Sequence, residues 1–480
     1  MPEKNKKFYV TTSIAYTNAP PHIGFALEAI EADVTARYHR LLEENVFFLT
    51  GADEHGAKIT KAAEKEGKTP KEFVDGISEQ FRKLKEVLNL SNDDFIRTTD
   101  EKRHFPAVKE VWSKLKKNGD IYKKNYQGLY CIGCEAFITK KDLINGKCII
   151  HQKEPDVVEE ENYFFRLSKY SKKIDEIIKK DEIKIIPEAR KNEILSFIRQ
   201  GLEDISFSRP RKDLEWGIPV PEDSSQTIYV WADALTNYLS AIGYESDSKK
   251  FKKYWPVDVH FIGKDILKFH GAIWPGMILS LGLELPKKIF VHGFITSAGQ
   301  KMSKSLGNII DPFELVRKYG TDAVRYYLLR EIPATEDGDF TYEKFKERYN
   351  ADLAGGLGNL VARVIVVADR INLKLSLKVG SSKIKELIDK TRENYKNSLE
   401  ALKFNEALIA IWNLIHSCDE YIDKEQPWKE SKDQKEIVND LLFAIDNIAE
   451  LLKPILPETS EKIVKQLKTL KSQSLFPRLN

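Results

Sequence analysis

VTTSIAYTNAPPHIGF, residues 10–25, joins a predicted strand to a predicted helix. Its β-branched and aromatic residues favour a half-buried strand, and its proline-containing middle favours a turn. From Ile23 to Leu41, apolar residues recur every three or four positions, as on one face of a helix. An apolar run at 46–50 predicts a second strand. This strand–helix–strand order predicts a parallel α/β sheet with ligands bound beyond the carboxyl ends of its strands.

His22 and Gly24 lie where the turn ends and the predicted helix begins. The N–H groups and the positive dipole end of a helix N-terminus favour phosphate binding there. Gly24 would allow a ligand close to the backbone, and the His22 ring could donate a hydrogen bond to an oxygen that gains charge. A single His-x-Gly is more often a turn with a solvated histidine, so this hypothesis depends on a second motif.

The second motif is KMSKS, residues 301–305, which follows a Ser-Ala-Gly-Gln turn and precedes Leu-Gly-Asn. This setting predicts a mobile loop. Its two lysines could be a solvated pair of charges. On a loop that faces a phosphate site, however, their ammonium groups would stabilise a triphosphate as it is displaced, and loop motion would gate the reaction.

Composition is that of a soluble globular protein with about three domains. The 480 residues are 42% hydrophobic and 31% charged, and 76 basic against 73 acidic residues leave a net charge of only +3. Net charge therefore does not indicate a nucleic-acid partner. No apolar run approaches the ~18 residues of a membrane span, and the N-terminus does not resemble a secretory signal. Four cysteines without a disulfide pattern favour a reducing cytoplasm.

Two short cysteine-containing motifs predict a metal site. Cys131-x2-Cys134 is followed, after thirteen residues, by Cys148-x2-His151. Three thiolates and one imidazole suit a closed, tetrahedral, structural zinc site. A redox Cys-x-x-Cys and buried thiols are the alternatives, but the second motif at this spacing favours zinc.

PHIGF (21–25) and KMSKS resemble the two signatures of the class I aminoacyl-tRNA synthetases. Four further stretches narrow the resemblance to the methionyl-tRNA synthetase family: TGADEHG (50–56), YVWADALTNY (229–238), HFIGKDILKFH (260–270) and YNADLAGGLGNL (349–360). The resemblance runs from about Phe8 to beyond Trp428, nearly the whole chain. It has one notable departure, because Phe25 stands where the family's HIGH motif has its second histidine.

The resemblance implies a Rossmann-type parallel-sheet catalytic domain with a zinc-knuckle insertion, followed by an all-α helical-bundle anticodon-binding domain. The implied boundaries are 1–118 and 226–300 for the two halves of the catalytic domain, 119–225 for the insertion, 301–345 for the KMSKS and stem-contact region, and 346–480 for the helical domain. Apolar runs predict further strands at 227–231, 259–263 and 288–294. Helical periodicity predicts long helices around 349–370, 383–422 and 435–469.

The resemblance also implies residue roles. Asp53 would meet the α-ammonium group of methionine, and the side-chain pocket would comprise Ile14, Tyr16, Trp231, Tyr238 and His270. Catalysis would depend on His22, Gly24, Lys301 and Lys304, with Lys264 and Asp265 also near the ATP. Taken singly, Asp53 would be read as a turn residue, and Trp231 and Tyr238 as core residues.

Anticodon recognition is implied for Asn359, Arg363 and the Pro427–Trp428 pair, by hydrogen bonds to base edges and by stacking on the indole. Trp428 could instead have a capping or packing role. Gly355 stands where the family has an asparagine one turn before Asn359, so the resemblance implies no role for that position.

The implied protein is a cytoplasmic methionine–tRNA ligase that acts on L-methionine, Mg-ATP and tRNA(Met), holds one structural zinc and contacts no membrane. A monomer is expected, because the sequence ends at Asn480 without the oligonucleotide-binding module that dimerises longer relatives. Two alternatives remain. A sister class I enzyme for another aliphatic amino acid should lack the Trp231, Tyr238 and His270 set. A non-catalytic tRNA-binding paralogue is suggested by Phe25, but His22 and the KMSKS lysines argue against it.

Overall fold

A computed structural model describes residues 6–133, 136–138, 143–150, 152–302, 307–373 and 381–480. Its contacts group the chain into two units. The first comprises Met1–Pro21, Glu43–Lys83 and Asn92–Val291, and the second comprises His22–Leu42, Leu84–Ser91 and His292–Asn480.

The described residues form the following strands and helices, numbered in chain order. The strands are β1 (Lys7–Thr11), β2 (Ala15–Tyr16), β3 (Asn45–Asp53), β4 (Asp94–Arg97), β5 (Ile121–Cys131), β6 (Ala136–Ile138), β7 (Leu143–Ile144), β8 (Lys147–Cys148), β9 (Asp156–Phe165), β10 (Lys184–Ile186), β11 (Ile205–Ser206), β12 (Ser208–Pro210), β13 (Pro219–Val220), β14 (Asp223–Ile228), β15 (Val259–Gly263), β16 (Lys288–His292), β17 (Ile295–Ser297), β18 (Gln300–Lys301) and β19 (Gly338–Phe340). The α-helices are α1 (Ile23–Leu41), α2 (Ala57–Lys65), α3 (Pro70–Val87), α4 (His104–Lys117), α5 (Ser171–Lys179), α6 (Glu188–Arg199), α7 (Val230–Leu235), α8 (Asn237–Ser240), α9 (Ser248–Tyr254), α10 (Trp274–Leu281), α11 (Pro312–Tyr319), α12 (Thr321–Glu331), α13 (Tyr342–Arg348), α14 (Asn359–Arg370), α15 (Ser382–Glu400), α16 (Phe404–Glu425), α17 (Gln434–Leu452) and α18 (Pro457–Thr469).

The first unit is built on a seven-stranded sheet in the order β10-β16-β15-β1-β3-β2, with β4 beside β3. The central strand β1 pairs in parallel with β15 and with β3, and β3 pairs in parallel with β2 and with β4. The predicted parallel sheet and the strand–helix–strand order of β1, α1 and β3 are therefore confirmed. Strand β10 also belongs to this sheet, although it lies inside the predicted insertion at 119–225.

The strand predicted at 227–231 is wrong in its extent. Strand β14 ends at Ile228 and pairs antiparallel with β12 and β13 in a separate three-stranded sheet. Helix α7 begins at Val230. A short apolar run has no period long enough to separate a buried strand from a buried helix, and here it contains the junction of the two.

Between Tyr342 and Thr469, every secondary-structure element among the described residues of the second unit is a helix, as the periodicity predicts. The stretch predicted around 383–422 is divided into α15 and α16 at Leu402, whose φ of 59° is left-handed. Leu402 is nevertheless buried, so its apolar side chain continues the helical pattern across the break. The stretch around 435–469 divides into α17 and α18 on either side of Pro454, a residue that cannot continue a helix without strain.

A buried ion pair ties α1 to the rest of the second unit. Arg325 of α12 is fully buried, and its Nη2 donates to Asp33 Oδ2 of α1 at 2.7 Å. Its other N–H groups donate to the carbonyl oxygens of Leu88 and Ile455 at 3.0 and 2.8 Å. Removing one partner of such a pair typically costs ~3–5 kcal/mol, because the other charge stays buried. The pair therefore fixes the helix that begins after His22.

The helical stretch Tyr342–Arg370 is long and apolar enough to cross a membrane, a test that core helices of soluble proteins also pass. Leu353, Leu357 and Leu360 are buried in the second unit. One side of the stretch therefore belongs to the core of the helical unit.

Candidate active site and anticodon-binding surface

The ends of β2 and β3 bring Tyr16 and Asp53 side by side in parallel register. The backbone N–H and hydroxyl of Thr17 both donate to the Asp53 carbonyl oxygen at 3.0 Å, which fixes the backbone there. A Cβ at Gly51 would lie 2.9 Å from Ile14 Cγ2 and 2.2 Å from a backbone oxygen, so only glycine fits. Three predicted methionine contacts thus meet at one edge of the parallel sheet.

Tyr238 and His270 form a buried hydrogen-bonded pair in the first unit. The Tyr238 hydroxyl lies 2.8 Å from His270 Nε2, and His270 Nδ1 lies 3.2 Å from the Ile266 carbonyl oxygen. Burial lowers the pKa of His270 to about 4, so the ring is neutral at pH 7. Its Nδ1–H therefore donates to the Ile266 carbonyl oxygen, and its Nε2 accepts a hydrogen bond from the Tyr238 hydroxyl. The pair presents a neutral polar group, which suits an uncharged ligand.

His260 lies beside the Tyr238–His270 pair. It is part of the stretch HFIGKDILKFH, but sequence reasoning assigned it no role. The Trp274 indole N–H donates to His260 Nε2 at 3.2 Å, and His260 Nδ1 lies 2.8 Å from the Thr11 hydroxyl. Burial lowers the pKa of His260 well below its usual value, so this ring is also neutral. Its ring centroid is 4.3 Å from that of Tyr238. His260 therefore supports Tyr238 from within the core.

Trp231 stacks on Phe269, with ring centroids 3.6 Å apart and planes within 7°. Trp231 is only partly buried and packs against the core of the first unit. Sequence reasoning missed Phe269, although it is adjacent to His270. Polarisable aromatic faces of this kind favour a thioether over an alkyl chain.

Lys264 and Asp265 form a tight helical turn, Lys264–Ile266, directly after β15. Asp265 is exposed and Lys264 is partly buried. Both residues therefore follow the carboxyl end of a parallel strand, as predicted.

His22 is the N-cap of α1 in the second unit. Its Nδ1 accepts the Gly24 backbone N–H at 3.0 Å, so the neutral ring carries its proton on Nε2, where it can donate to a ligand. A Cβ at Gly24 would lie 2.9 Å from His22 Cε1. Any larger residue at position 24 would therefore require the His22 ring to shift out of this cap. The first turn of α1 has no acidic residue to oppose a bound anion.

The segment after KMSKS contacts this cap within the same unit, because the Ile23 N–H donates to the Ile310 carbonyl oxygen at 3.1 Å. Strands β17 and β18 form a hairpin that ends at the exposed Lys301. Asp339 Oδ1 accepts from Gly299 N–H and from the Thr296 hydroxyl, each at 2.7 Å, and so braces the hairpin. Lys304 lies outside the described residues.

His292, a second residue that sequence reasoning missed, joins α1 to the base of this hairpin. Its Nε2 lies 2.9 Å from Glu28 Oε2. Burial opposes protonation of His292, but the hydrogen bond and charge of Glu28 outweigh it and raise its pKa to about 9. Burial raises the pKa of Glu31 to about 8. A buried imidazolium–carboxylate pair therefore holds α1 beside the strand that leads into the hairpin.

Cys131 and Cys148 lie in one small buried cluster with Ile138. Cys131 ends β5 and Cys148 ends β8, so both come from the ends of short strands. The other predicted zinc ligands, Cys134 and His151, lie outside the described residues. Within the described ranges, no group of three or more metal-ligating side chains is found. The buried pair of thiols fits half of the predicted ligand set.

Arg363 and Trp428 are neighbours in the helical unit. The Arg363 guanidinium carbon lies 5.7 Å from the Trp428 ring centroid, and Arg363 Nη2 donates to Asp423 Oδ1 at 3.0 Å. Trp428 is 41% exposed, although Pro427 before it is buried. Asn359, one helical turn before Arg363 on α14, is exposed. Three of the predicted anticodon residues thus offer side chains to solvent.

Gly355 lies in the π-helical stretch Tyr349–Gly358, one turn before Asn359. A Cβ at Gly355 would be 2.9 Å from the Asn350 carbonyl oxygen. The departure from the family's asparagine therefore coincides with a tight backbone contact.

Comparisons with known proteins agree with both units. A family model described as tRNA synthetases class I (M) matches residues 8–142 and 134–365, and one described as anticodon-binding domain of tRNA ligase matches residues 382–478. The chain is similar to the methionine–tRNA ligase of Caldanaerobacter subterraneus, with 44% identity over 96% of this chain and 74% of that protein. It is also similar to the methionine–tRNA ligase of Thermotoga maritima, with 43% identity over 96% of this chain and 75% of that protein.

A solved structure of Mycobacterium tuberculosis methionyl-tRNA synthetase in complex with methionyl-adenylate superposes with a TM-score of 0.90. It is 38% identical and covers 99% of each chain. These matches support neither a sister enzyme for another amino acid nor a non-catalytic paralogue. The chain belongs to the methionine–tRNA ligase family of class I aminoacyl-tRNA synthetases.

Proposed function

We propose that this member of the family performs its reaction with one group of residues for methionine and another for the ATP phosphates. The reaction joins the methionine carboxylate to the α-phosphorus of ATP, which arrives with Mg²⁺, and releases pyrophosphate. A hydroxyl of the 3′-terminal ribose of tRNA(Met) then attacks the carbonyl carbon of methionyl-adenylate, which forms the ester, breaks the acyl–phosphate bond and releases AMP. No covalent bond to the protein is needed, so catalysis depends on positioning and electrostatics.

In the first unit, Asp53 would bind the α-ammonium group, while Ile14, Tyr16, Trp231, Tyr238 and His270 surround the side chain. The single observation that supports this assignment most is the neutral, buried Tyr238–His270 pair. A buried, protonated histidine would need an anionic partner, whereas a neutral histidine can lie beside the uncharged thioether of methionine. Lys264 and Asp265 would contact the nucleotide.

In the second unit, the His22 Nε2–H, the N-terminus of α1 at Gly24, and Lys301 would stabilise charge on the phosphates. The His22 cap shows the supporting geometry, because its tautomer leaves the proton on the outward nitrogen. Lys304 would add a second ammonium group from KMSKS.

Replacing Tyr238 with Phe tests the methionine assignment. The change removes the hydroxyl and leaves His270 Nε2 without its donor, so the KM for methionine in pyrophosphate exchange is expected to rise about tenfold. The KM for ATP should stay within about twofold. Tyr244→Phe is the matched control, since Tyr244 is also buried and its hydroxyl accepts a hydrogen bond from Lys114, away from His270. Equal methionine KM values for the two variants would contradict the assignment.

We also propose that Arg363, Asn359 and Trp428, with Pro427 holding the tryptophan, read the anticodon of tRNA(Met). The exposed indole beside a guanidinium is a suitable stacking platform for an unpaired base. The near-neutral charge balance of the chain is compatible with this, because base stacking does not require a basic surface.

Trp428→Ala is expected to weaken tRNA(Met) binding by ~1–3 kcal/mol, because a base–aromatic stack is lost. Trp428→Phe, which keeps a smaller ring, should lose less. Methionine activation without tRNA should be unchanged in both. If Trp428→Ala lowers activation and leaves tRNA binding intact, the indole is a packing residue.

A structural zinc is proposed at Cys131, Cys134, Cys148 and His151, supported by the buried Cys131–Cys148 cluster and the sequence spacing. Bound there, zinc would link the strand ends of the insertion and take no part in the reaction. Boundaries of the five sequence segments, the cytoplasmic location and the monomeric state remain predictions.

A further inference from the structure

A buried carboxylate lies between the two segments that carry the proposed methionine contacts. Asp233 Oδ2 is 2.7 Å from His55 Nδ1, and its Oδ1 is 2.7 Å from His104 Nε2. The side chains of Asp233, His55 and His104 are 1%, 4% and 0% exposed. Each carboxylate oxygen thus has its own imidazole partner.

The three residues come from separate parts of the first unit. His55 is two residues after Asp53, on the turn that follows β3. Asp233 lies in α7, two residues after Trp231. The Asp233 carboxylate therefore ties the turn that carries the ammonium-binding residue to the helix that carries the pocket aromatics.

His104 extends the cluster to α8. It begins α4, and its Nδ1 lies 2.9 Å from the hydroxyl of Ser240. Ser240 ends α8, two residues after Tyr238. The cluster therefore contacts the segments on both sides of the proposed pocket.

The cluster is intact only when both oxygens of the Asp233 carboxylate accept a hydrogen bond. Burial opposes ionisation of Asp233, but the interactions with His55 and His104 outweigh it and keep the pKa of Asp233 below its usual value. Charge-assisted hydrogen bonds of this kind are short and strong. An amide in the same place could accept at its oxygen only, so the other imidazole N–H would face an NH2 group and lose its acceptor.

The turn after β3 is also fixed from its other side. Glu54, between Asp53 and His55, is fully buried and accepts from Arg97 Nε at 2.6 Å. The Trp216 indole N–H donates to the Glu54 carbonyl oxygen. With Glu54 and His55 both held, little freedom remains for Asp53.

We propose that Asp233 is a positioning residue for methionine: through His55 and His104 it holds Asp53 in register with Trp231 and Tyr238. This rests on the proposed function, which assigns those three residues to methionine. Asp233 acts through its neighbours, and its effect should appear in methionine recognition rather than in ATP binding.

The test is Asp233→Asn in the full chain, by methionine-dependent pyrophosphate exchange. The KM for methionine is expected to rise about tenfold, since misplacement of a binding group weakens its contact. The KM for ATP should stay within about twofold. The 2-hydroxy analogue of methionine, which has no ammonium group for Asp53, should inhibit the variant and the natural protein with similar inhibition constants.

Two controls separate positioning from general destabilisation. Asp120→Asn changes another buried carboxylate of the first unit, which accepts from Lys169 and Ser280 at 2.7 Å each. It should lower the melting temperature and leave the methionine KM unchanged. His104→Gln, which keeps an N–H donor, should raise the methionine KM less than His104→Ala does. If Asp233→Asn does not fold, the comparison of His104→Gln with His104→Ala tests the positioning role instead.

A proportional rise in both KM values and in the analogue's inhibition constant would overturn the proposal, because it would show a structural role only. An unchanged methionine KM in folded Asp233→Asn would overturn it too. Asp53→Asn separates this inference from the proposed function. If Asp53→Asn leaves the preference for methionine over the analogue intact, the assignment of Asp53 fails. If it abolishes the preference while Asp233→Asn keeps it, only the positioning role fails.

Discussion

Asp53→Asn is expected to lower kcat/KM for methionine about 100-fold, which corresponds to ~3 kcal/mol of lost transition-state binding. The substitution removes the carboxylate charge opposite the α-ammonium group of methionine. The backbone should keep its place, because Thr17 donates to the Asp53 carbonyl oxygen and not to the side chain. Steady-state pyrophosphate exchange at varied methionine concentrations measures the change.

Asp213→Asn provides the control, because Asp213 is an exposed carboxylate of the same unit outside the proposed site. The kcat/KM of Asp213→Asn for methionine should equal that of the natural protein. A kcat/KM for Asp53→Asn within about twofold of the natural protein would contradict the role of Asp53.

Cys148→Ser is expected to abolish zinc binding and to unfold the tip of the insertion. A serine hydroxyl is a poor substitute for a thiolate, and structural zinc sites contribute ~10–16 kcal/mol of apparent binding energy in small zinc-finger peptides. Metal analysis should find one zinc per chain in the natural protein and none in the variant, together with a lower melting temperature.

Cys418→Ser is the matched control for a cysteine that should bind no metal. Cys418 is buried in α16, and burial raises the pKa of its thiol to about 12. Zinc content should be the same as in the natural protein. A natural protein that contains no metal and is fully active would refute the zinc site.

The sequence predicts the beginning of the fold closely, because its signals there are local and periodic. The apolar positions between Ile23 and Leu41 are three or four residues apart, and α1 has those same bounds. The run at 227–231 is too short to carry a period, so the change from strand to helix at Val230 could not be read from it.

The candidate site was predictable as a set of residues but not as an arrangement. Motif matches named Tyr16, Asp53, Tyr238 and His270 one by one. The register of Tyr16 with Asp53 and the neutral state of His270 depend on strand pairing and burial, which no local pattern encodes. His260 escaped notice for the same reason, since its partners come from other strands and helices.

Phe25 is the position where the chain departs most clearly from its family. It lies in the first turn of α1 and is partly buried, so a phenyl ring replaces a possible phosphate donor. Losing one such donor typically costs ~2.7–4 kcal/mol of transition-state stabilisation. The His22 Nε2–H, the N-terminus of α1 and the KMSKS lysines remain, so we expect an active enzyme in which neighbouring donors or an ordered water replace the missing one.

Amino-acid-dependent pyrophosphate exchange by the natural protein tests the central claim most directly. The assay is run with each standard amino acid, and beside it with Phe25→His. We predict exchange with methionine and not with other aliphatic amino acids, and a faster rate in Phe25→His. Exchange with another amino acid would contradict the methionine specificity, and no exchange except in Phe25→His would show that the natural protein does not activate methionine.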